Sequence, residues 1–600
     1  MFKSYWKLAL LALVSLGLAS CEDETTQTPQ KDSILFNGVT ELVFSPEDTA
    51  DKTISFNSTA DWTLSVENGA WLSVSPQSGN AGENITLTVA LNELESDVDR
   101  QAKVIISGGD ALAAFTVKQT AVVYAESIAL QGNHRIVLGY DTQLEVAVTP
   151  AGGRLQGEVA WESSDDAVAT VADGVVTAVA LGQATITATV GEMQAEFLVE
   201  VTETFITDGV SRTYTLADLA AIEYSGVTGE AGEYVIGQSF ELAESDVLAL
   251  GDANRIVVND AVRLTVAGMI DFAASSEVEF TAAAEAIPDP IYFTGDVQGA
   301  GTFKNIHFNG MALRYFGAEA MTIQDCRFTG IVDSEPAINL GGTGLVTVSN
   351  CEFVENAYPA IAAGANTQTP LIFQDNYLYK NSADARNRPQ INVTVPGDGV
   401  CQILRNVVIG PGEITKNGGI AVSNLLGLPG ANKVEIIGNE VSDCRYGITL
   451  QGAMDGVLKD NILMNNCWEE NAMNGGSGVS LYDTAGGLVV YMSGNHIEGS
   501  LWGITNIGYV ANGVGPVLNL GNLTEGDDYN PGGNVFINNG NGGVLYDLYN
   551  NSPLDVMAQG NTWNVDVQDE DSIEEVIFHK NDNSTLGQVT FMPAAEQDEE

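Results

Sequence analysis

Five side chains between residues 352 and 388 are of the types needed for proton abstraction beside a carboxylate. Lys380, Arg386 and Arg388 form the only basic cluster in a strongly acidic chain. Asp375 lies five residues before Lys380, and Glu352 falls one repeat earlier. Acidic oxygens of this kind hold Ca²⁺ against a substrate carboxylate, while Lys or Arg removes the neighbouring proton. The set reads as Ca²⁺-assisted β-elimination on a uronate; the competing reading pairs the Arg side chains with surface carboxylates. A second group consists of aromatics, Tyr446, Trp468, Trp502 and Tyr529. Flat rings stack on the apolar faces of pyranoses, and equally serve as packing. His134, His307, His496 and His579 fall in no catalytic constellation, with His307 and His496 expected on the solvent side of strands. No zinc, nucleotide or nucleophile motif is present.

These residues sit in a repeat that must position them. The phrase recurs as Asn305-Ile306-His307-Phe308, Asp325-Cys326-Arg327-Phe328, Asn350-Cys351-Glu352-Phe353 and Asp375-Asn376-Tyr377-Leu378. It continues as Arg405-Asn406-Val407-Val408, Gly438-Asn439-Glu440-Val441, Asp460-Asn461-Ile462-Leu463, Gly494-Asn495-His496-Ile497 and Gly560-Asn561-Thr562-Trp563. The second position advances by 20, 25, 25, 30, 33, 22, 34 and 66 residues, the last reading as two turns of 33. Such a period marks a solenoid whose turns bury their apolar faces only by stacking. The alternation within each phrase has period two, so the turns are strands. Cys326, Cys351, Asn376, Asn406, Asn439, Asn461, Asn495 and Asn561 are predicted to form one file at the bend, each bonding backbone above and below. A second file is expected at Asn356, Asn381, Cys444 and Ser500, with Cys467 one residue late, followed by Ala360-Ile361, Gly447-Ile448 and Gly503-Ile504.

This pattern, over roughly residues 210 to 590, resembles the right-handed parallel β-helix of the pectate-lyase-like superfamily. The resemblance implies a ligand groove along one outer sheet, walled by long loops. Three insertions are candidates for walls: Lys380 to Gly399, Cys467 to Gly478 and Gly508 to Gly533. Gly526-Asp527-Asp528 echoes a polygalacturonase motif, but the companion Gly-His-Gly and Arg-Ile-Lys motifs of that family are absent.

The 600 residues carry 24 Lys plus Arg against 79 Asp plus Glu, a formal charge of −55. Such a surface repels nucleic acid and anionic lipid. Six cysteines include Cys21, which a targeting motif uses, and the odd remainder of five is a poor disulfide framework. Cys326 and Cys351 share a column near bridging distance, yet are expected as free thiols.

Residues 1–21 have the basic start, short apolar run and Leu18-Ala19-Ser20-Cys21 of a signal segment. That tetrapeptide resembles the lipobox of bacterial lipoproteins, which implies lipidation of Cys21 and a membrane anchor. Glu22-Asp23-Glu24 resembles the surface-export signal of Bacteroidota lipoproteins, implying an outer-membrane protein facing the exterior. Residues 22–32 read as a polar tether. Residues 33–122, with Trp62 and Trp71 between short alternating strands, resemble the BACON domain, a β-sandwich. The two Trp are expected as core anchors more than as a sugar platform. Residues 124–202, with Val159-Ala160-Trp161-Glu162 and Gly174-Val175-Val176-Thr177-Ala178, resemble the group-2 bacterial immunoglobulin-like domain, implying a core position for Trp161. Residues 203–300 read as the cap and first coils, 301–591 as the helix proper and 592–600 as an acidic tail.

The expected fold class is all-β, with two N-terminal β-sandwiches followed by a right-handed parallel β-helix. The leading functional expectation is a cell-surface lipoprotein that binds extracellular polysaccharide, without catalysis, beside other surface glycan-uptake proteins. The alternatives are a polysaccharide (uronate) lyase and a non-catalytic adhesin.

Overall fold

The computed structural model describes residues 31–294, 299–332, 335–383 and 387–595. Cys21 and Arg386 lie outside the described residues. The chain divides into two units, one comprising Met1–Leu130, Val146–Ala160 and Ala188–Ala195, the other Gln131–Glu145, Trp161–Thr187 and Glu196–Glu600.

The first unit contains a five-stranded and a four-stranded sheet built from residues 34–119. The strand burial alternates, as in Arg100–Gly108, so one face of each sheet supplies a core. Trp62 and Trp71 are in that core at 2% and 6% exposure. Trp62 meets the edge of Phe56 at 5.1 Å, and Trp71 lies under the Arg100 guanidinium at 4.7 Å. Neither ring offers a face to a sugar.

In the second unit, Asp141–Gln143, Val175–Ala178 and Ala169–Ala172 form an antiparallel sheet. Trp161 departs from expectation: it is half-buried, with its ring edge over Gly174, where a Cβ would come within 3.1 Å. Two sheets then carry the rest of the chain, one parallel with 14 strands from Phe205–Ile206 to Ile577–Phe578, the other with 25 strands from Thr213–Thr215 to Val589–Thr590, parallel except for the pair Val227–Glu230 and Glu233–Ile236. This is a parallel β-helix. One turn shows the plan. Val346–Ser349 runs to a corner at Asn350 and Cys351, Glu352–Val354 leaves it, and after a loop Ile361–Ala363 joins the 14-stranded sheet. A short helix, Leu216–Ala220, buries Leu216 and Leu219 near the start and is closed by a Thr215–Asp218 capping box.

The corner explains the repeat. The residue before the file is left-handed at every turn: φ is 56° at Asn305, 54° at Asp325, 53° at Asn350, 58° at Asp375 and 68° at Gly438. Asn, Asp and Gly tolerate that region at least cost. The next side chain turns inward and is buried. Oδ1 of Asn406 accepts both the backbone N–H and Nδ2–H of Asn376, at 3.0 and 2.9 Å. The pattern repeats from Asn406 to Asn439, Asn439 to Asn461 and Asn461 to Asn495. Cys351 donates its N–H to Asn376 Oδ1 at 2.9 Å, and Cys326 N–H reaches Cys351 Sγ at 3.4 Å. All five described cysteines are free thiols.

The 66-residue gap is two turns, but unequal ones. Asn534 stands between Asn495 and Asn561, 39 residues after the first and 27 before the second. The second file also differs in one member. Asn466, not Cys467, occupies it, accepting the Cys444 N–H at 3.1 Å. Inside, Phe308, Phe328 and Phe353 stack at 4.6 and 4.8 Å. Each such pair contributes about 0.5–1.5 kcal/mol beyond burial.

Candidate ligand groove

The outer face of the 14-stranded sheet carries a polar floor. In Ile448–Gln451, Ile448 and Leu450 point inward while Thr449 and Gln451 face out. Parallel pairing places Asn392, Ala421, Thr449, Ser480, Thr505 and Tyr549 side by side in that order. Ser423, Gln451, Tyr482, Ile507 and Asn551 form a second row two residues on. A groove of about 740 Å³ runs over both rows.

One wall is the Cys467–Gly478 insertion. Its short turn Ala472–Asn474 is capped by Asn471, whose Oδ1 accepts the Met473 N–H at 3.1 Å. The wall is pinned by Arg445, which is 8% exposed. Its Nε donates to Glu469 at 2.7 Å, and its other nitrogens donate to Asn387 Oδ1 and the Asn474 carbonyl. Burial alone would raise the Glu469 carboxyl, but the Asn471 N–H and the Arg445 guanidinium outweigh it and hold the group below its usual range. Trp502 Nε1 adds a bond to the Ala472 carbonyl at 2.6 Å.

An aromatic cluster closes one end. Trp502 contacts Tyr546 at 4.6 Å and Tyr549 at 4.7 Å, and Tyr549 stacks on Phe578 at 4.6 Å. Tyr446 lines the groove above Gly418, where a Cβ would meet its ring at 2.2 Å, so only glycine fits beneath it.

The structure therefore separates the sequence candidates. Tyr446 and Trp502 line the groove, and Trp468 and Tyr529 are not among its lining residues. Trp468 is half-buried, and its Nε1 has no hydrogen-bond partner. Tyr529 is 54% exposed, beside Asp528, which accepts a bond from Tyr491 on the large sheet at 3.2 Å. Part of its segment, Gly508 to Gly533, is not an insertion, because Val517–Gly521 is a paired strand.

The described members of the elimination set, Glu352, Asp375, Lys380 and Arg388, are each engaged by other residues. Asp375 is a corner residue at φ 58°, and both its oxygens are taken by Arg405 at 2.7 Å. Glu352 lies on an outward strand position, 3.5 Å from Arg327. Lys380 is at the second left-handed bend, φ 52°, equivalent to Glu355 one turn earlier at φ 53°, and its ammonium sits over Tyr379 at 4.8 Å. Arg388 lies over Tyr358 at 4.4 Å. Among the described residues, no group of three or more His, Cys, Asp or Glu is gathered as a metal would require. His307 and His496 are half-buried strand residues bonded to Thr329 and Glu498, each at 2.8 Å. His579 is fully buried between Glu574 and the Val589 N–H, both at 2.9 Å.

Sequence reasoning missed Arg445 and the floor. The floor had a signal. In Gly447-Ile448-Thr449, Gly478-Val479-Ser480 and Gly503-Ile504-Thr505, a glycine and an inward branched residue precede the outward hydroxyl.

Comparison with known proteins adds the N-terminal modules. A model for the viral BACON domain matches residues 39–122, and one for the bacterial Ig-like domain (group 2) matches residues 117–199. No curated protein matches the chain. Among solved structures, a Bacteroides ovatus GH5 xyloglucanase in complex with a XXXG heptasaccharide is 22% identical, covering 18% of this chain and 22% of that one, with a TM-score of 0.13. The S-layer protein rSbsC(31-844) is 16% identical over 29% of this chain and 28% of that one, at a TM-score of 0.20. The D0-D1 domain of intimin is 12% identical over 28% and 97%, at 0.12. The chain thus spans less than a third of the length of the first two structures.

Proposed function

We propose that this is a cell-surface lipoprotein, anchored at Cys21 in the outer membrane and facing the exterior, that binds extracellular polysaccharide in the groove over the 14-stranded sheet. The observation that carries the reading is the in-register floor of Asn392, Thr449, Ser480 and Thr505, which ends in the Trp502–Tyr546–Tyr549 cluster. Hydroxyls and amides at a regular strand spacing both donate to and accept from sugar hydroxyls, and Tyr482, 40% exposed on the second row, offers an apolar face. A BACON-like and an Ig-like module on the same chain fit a surface carbohydrate-associated protein. Binding without cleavage is the favoured reading, because the described members of the charged set are each engaged by other residues: Asp375 by Arg405, Glu352 by Arg327, Lys380 by Tyr379 and Arg388 by Tyr358. Other surface glycan-uptake proteins are its natural partners.

The test is retention of the soluble chain, beginning at Glu22, on a panel of immobilised polysaccharides. Ser480→Arg and Thr449→Arg, which fill the floor from outward positions, are expected to abolish retention with an unchanged melting temperature. Failure of the unaltered chain to bind any polysaccharide sinks the proposal. Release of unsaturated uronate from the panel would establish the lyase instead.

A further inference from the structure

We infer that the groove takes an uncharged polysaccharide and discriminates against uronates; this rests on the glycan-binding reading above. The lining is the first argument. Arg445 is the one charged side chain among the described residues that line the groove, and it is not available to a ligand. Its Nε serves Glu469, and its two terminal nitrogens serve Asn387 and the Asn474 carbonyl. Recognition of a sugar carboxylate calls for a free guanidinium, an ammonium or a bound cation. The floor instead presents Asn392, Thr449, Ser480, Thr505, Gln451 and Asn551, which match hydroxyls in both donor and acceptor roles.

The field of the whole protein is the second argument. A formal charge of −55 repels a polyanion approaching any surface that lacks compensating cations. A neutral chain meets no such barrier. The shape is the third argument. Six adjacent strands, from Pro389–Thr394 to Leu548–Asn551, underlie the groove. At about 4.8 Å between strands, they give a track of roughly 24 Å, long enough for several sugar rings lying across the strands. Tyr482, 40% exposed on the second row of the floor, offers a ring face, a contact that a ring carboxylate would only weaken by desolvation.

The experiment uses the full soluble chain against neutral polymers, such as a β-glucan and a galactomannan, and uronate polymers, polygalacturonate and alginate, each with and without Ca²⁺. At least one neutral polymer is expected to be retained about tenfold more tightly than any uronate polymer. Retention is expected to be insensitive to salt and Ca²⁺ and to be lost in Ser480→Arg. Tighter retention of a uronate polymer, with or without Ca²⁺, overturns the inference while leaving glycan binding standing. Neutral binding that survives Ser480→Arg at full strength also overturns it, because the ligand then lies elsewhere. No retention on any polymer overturns both readings.

Discussion

One oxygen, Oδ1 of Asn439, receives two bonds from Asn406, a residue 33 positions earlier: its backbone N–H and its Nδ2–H, both at 2.9 Å. Asn439 in turn donates Nδ2–H to the Ile403 carbonyl at 2.8 Å. Removing the amide therefore strands two donors and an acceptor on the preceding turn, all of them out of water. Asn439→Ala is expected to destabilise the β-helix by about 2–4 kcal/mol, since each orphaned buried group costs about 1–3 kcal/mol. Denaturant unfolding measures this; a loss below about 0.5 kcal/mol would show that the file is not structural.

Arg445 and Glu469 form an ion pair largely hidden from water, with side-chain exposures of 10% and 12%. Truncating one partner leaves the other buried and uncompensated, at a cost of about 3–5 kcal/mol. Arg445→Ala should therefore free the Cys467–Gly478 wall. Amide exchange is expected to accelerate over Glu469 to Gly475, while strands such as Lys433–Ile437 stay protected. Unchanged exchange in the wall would show that other contacts hold it.

Asp547 is fully buried, and burial, opposed by the Asn564 N–H and the Asn539 amide, pushes its carboxyl from 3.8 up to about 7. The folded state thus holds a proton that the unfolded chain releases near pH 4. Its stabilising contribution is complete below about pH 4, declines as pH rises to about 7 and is then flat. The change is of order 4 kcal/mol at 1.36 kcal/mol per unit. The decline between pH 4 and 7 is expected to flatten in Asp547→Asn, as measured by denaturation midpoints. A slope identical to that of the parent would remove Asp547 as its source.

Burial pushes the Cys401 and Cys444 thiols up to about 12 and the Cys351 thiol, packed against Cys326, well above its ordinary value. Cys467 is half-buried. In the native protein lacking Cys21, a thiol reagent at pH 8 is expected to modify Cys467 first, with the others reacting only on unfolding. Rapid native labelling of Cys401, an inward strand residue, or of Cys444, in the second file, would contradict their burial.

The corners were legible in the sequence because one backbone requirement recurs. A left-handed residue followed by an inward amide leaves the Asp-Asn and Gly-Asn pairs visible without any alignment. Asn534 obeys the same rule in Gly533-Asn534-Val535-Phe536. It was hidden only by turns of unequal length, 39 and 27 residues. The groove was less legible. Lys380 and Asp375 looked chemical because they are charged, but both sit at bends where φ is positive, and Asp375 is held by Arg405. The residues that build the site are plain Thr, Ser and Asn, whose meaning comes from lying next to one another across turns of variable length. Spacing along the chain does not reveal that adjacency. Arg445, flanked by Cys444 and Tyr446, became a wall anchor only once Asn387 and Glu469 were brought to it.

From Asn376 onward, each turn of the β-helix returns to the same asparagine corner whether it takes 22 residues or 39. Loop length and spine are thereby decoupled. A segment such as Cys467–Gly478 can be lengthened, shortened or exchanged, reshaping one side of the groove while neighbouring turns keep their bonds.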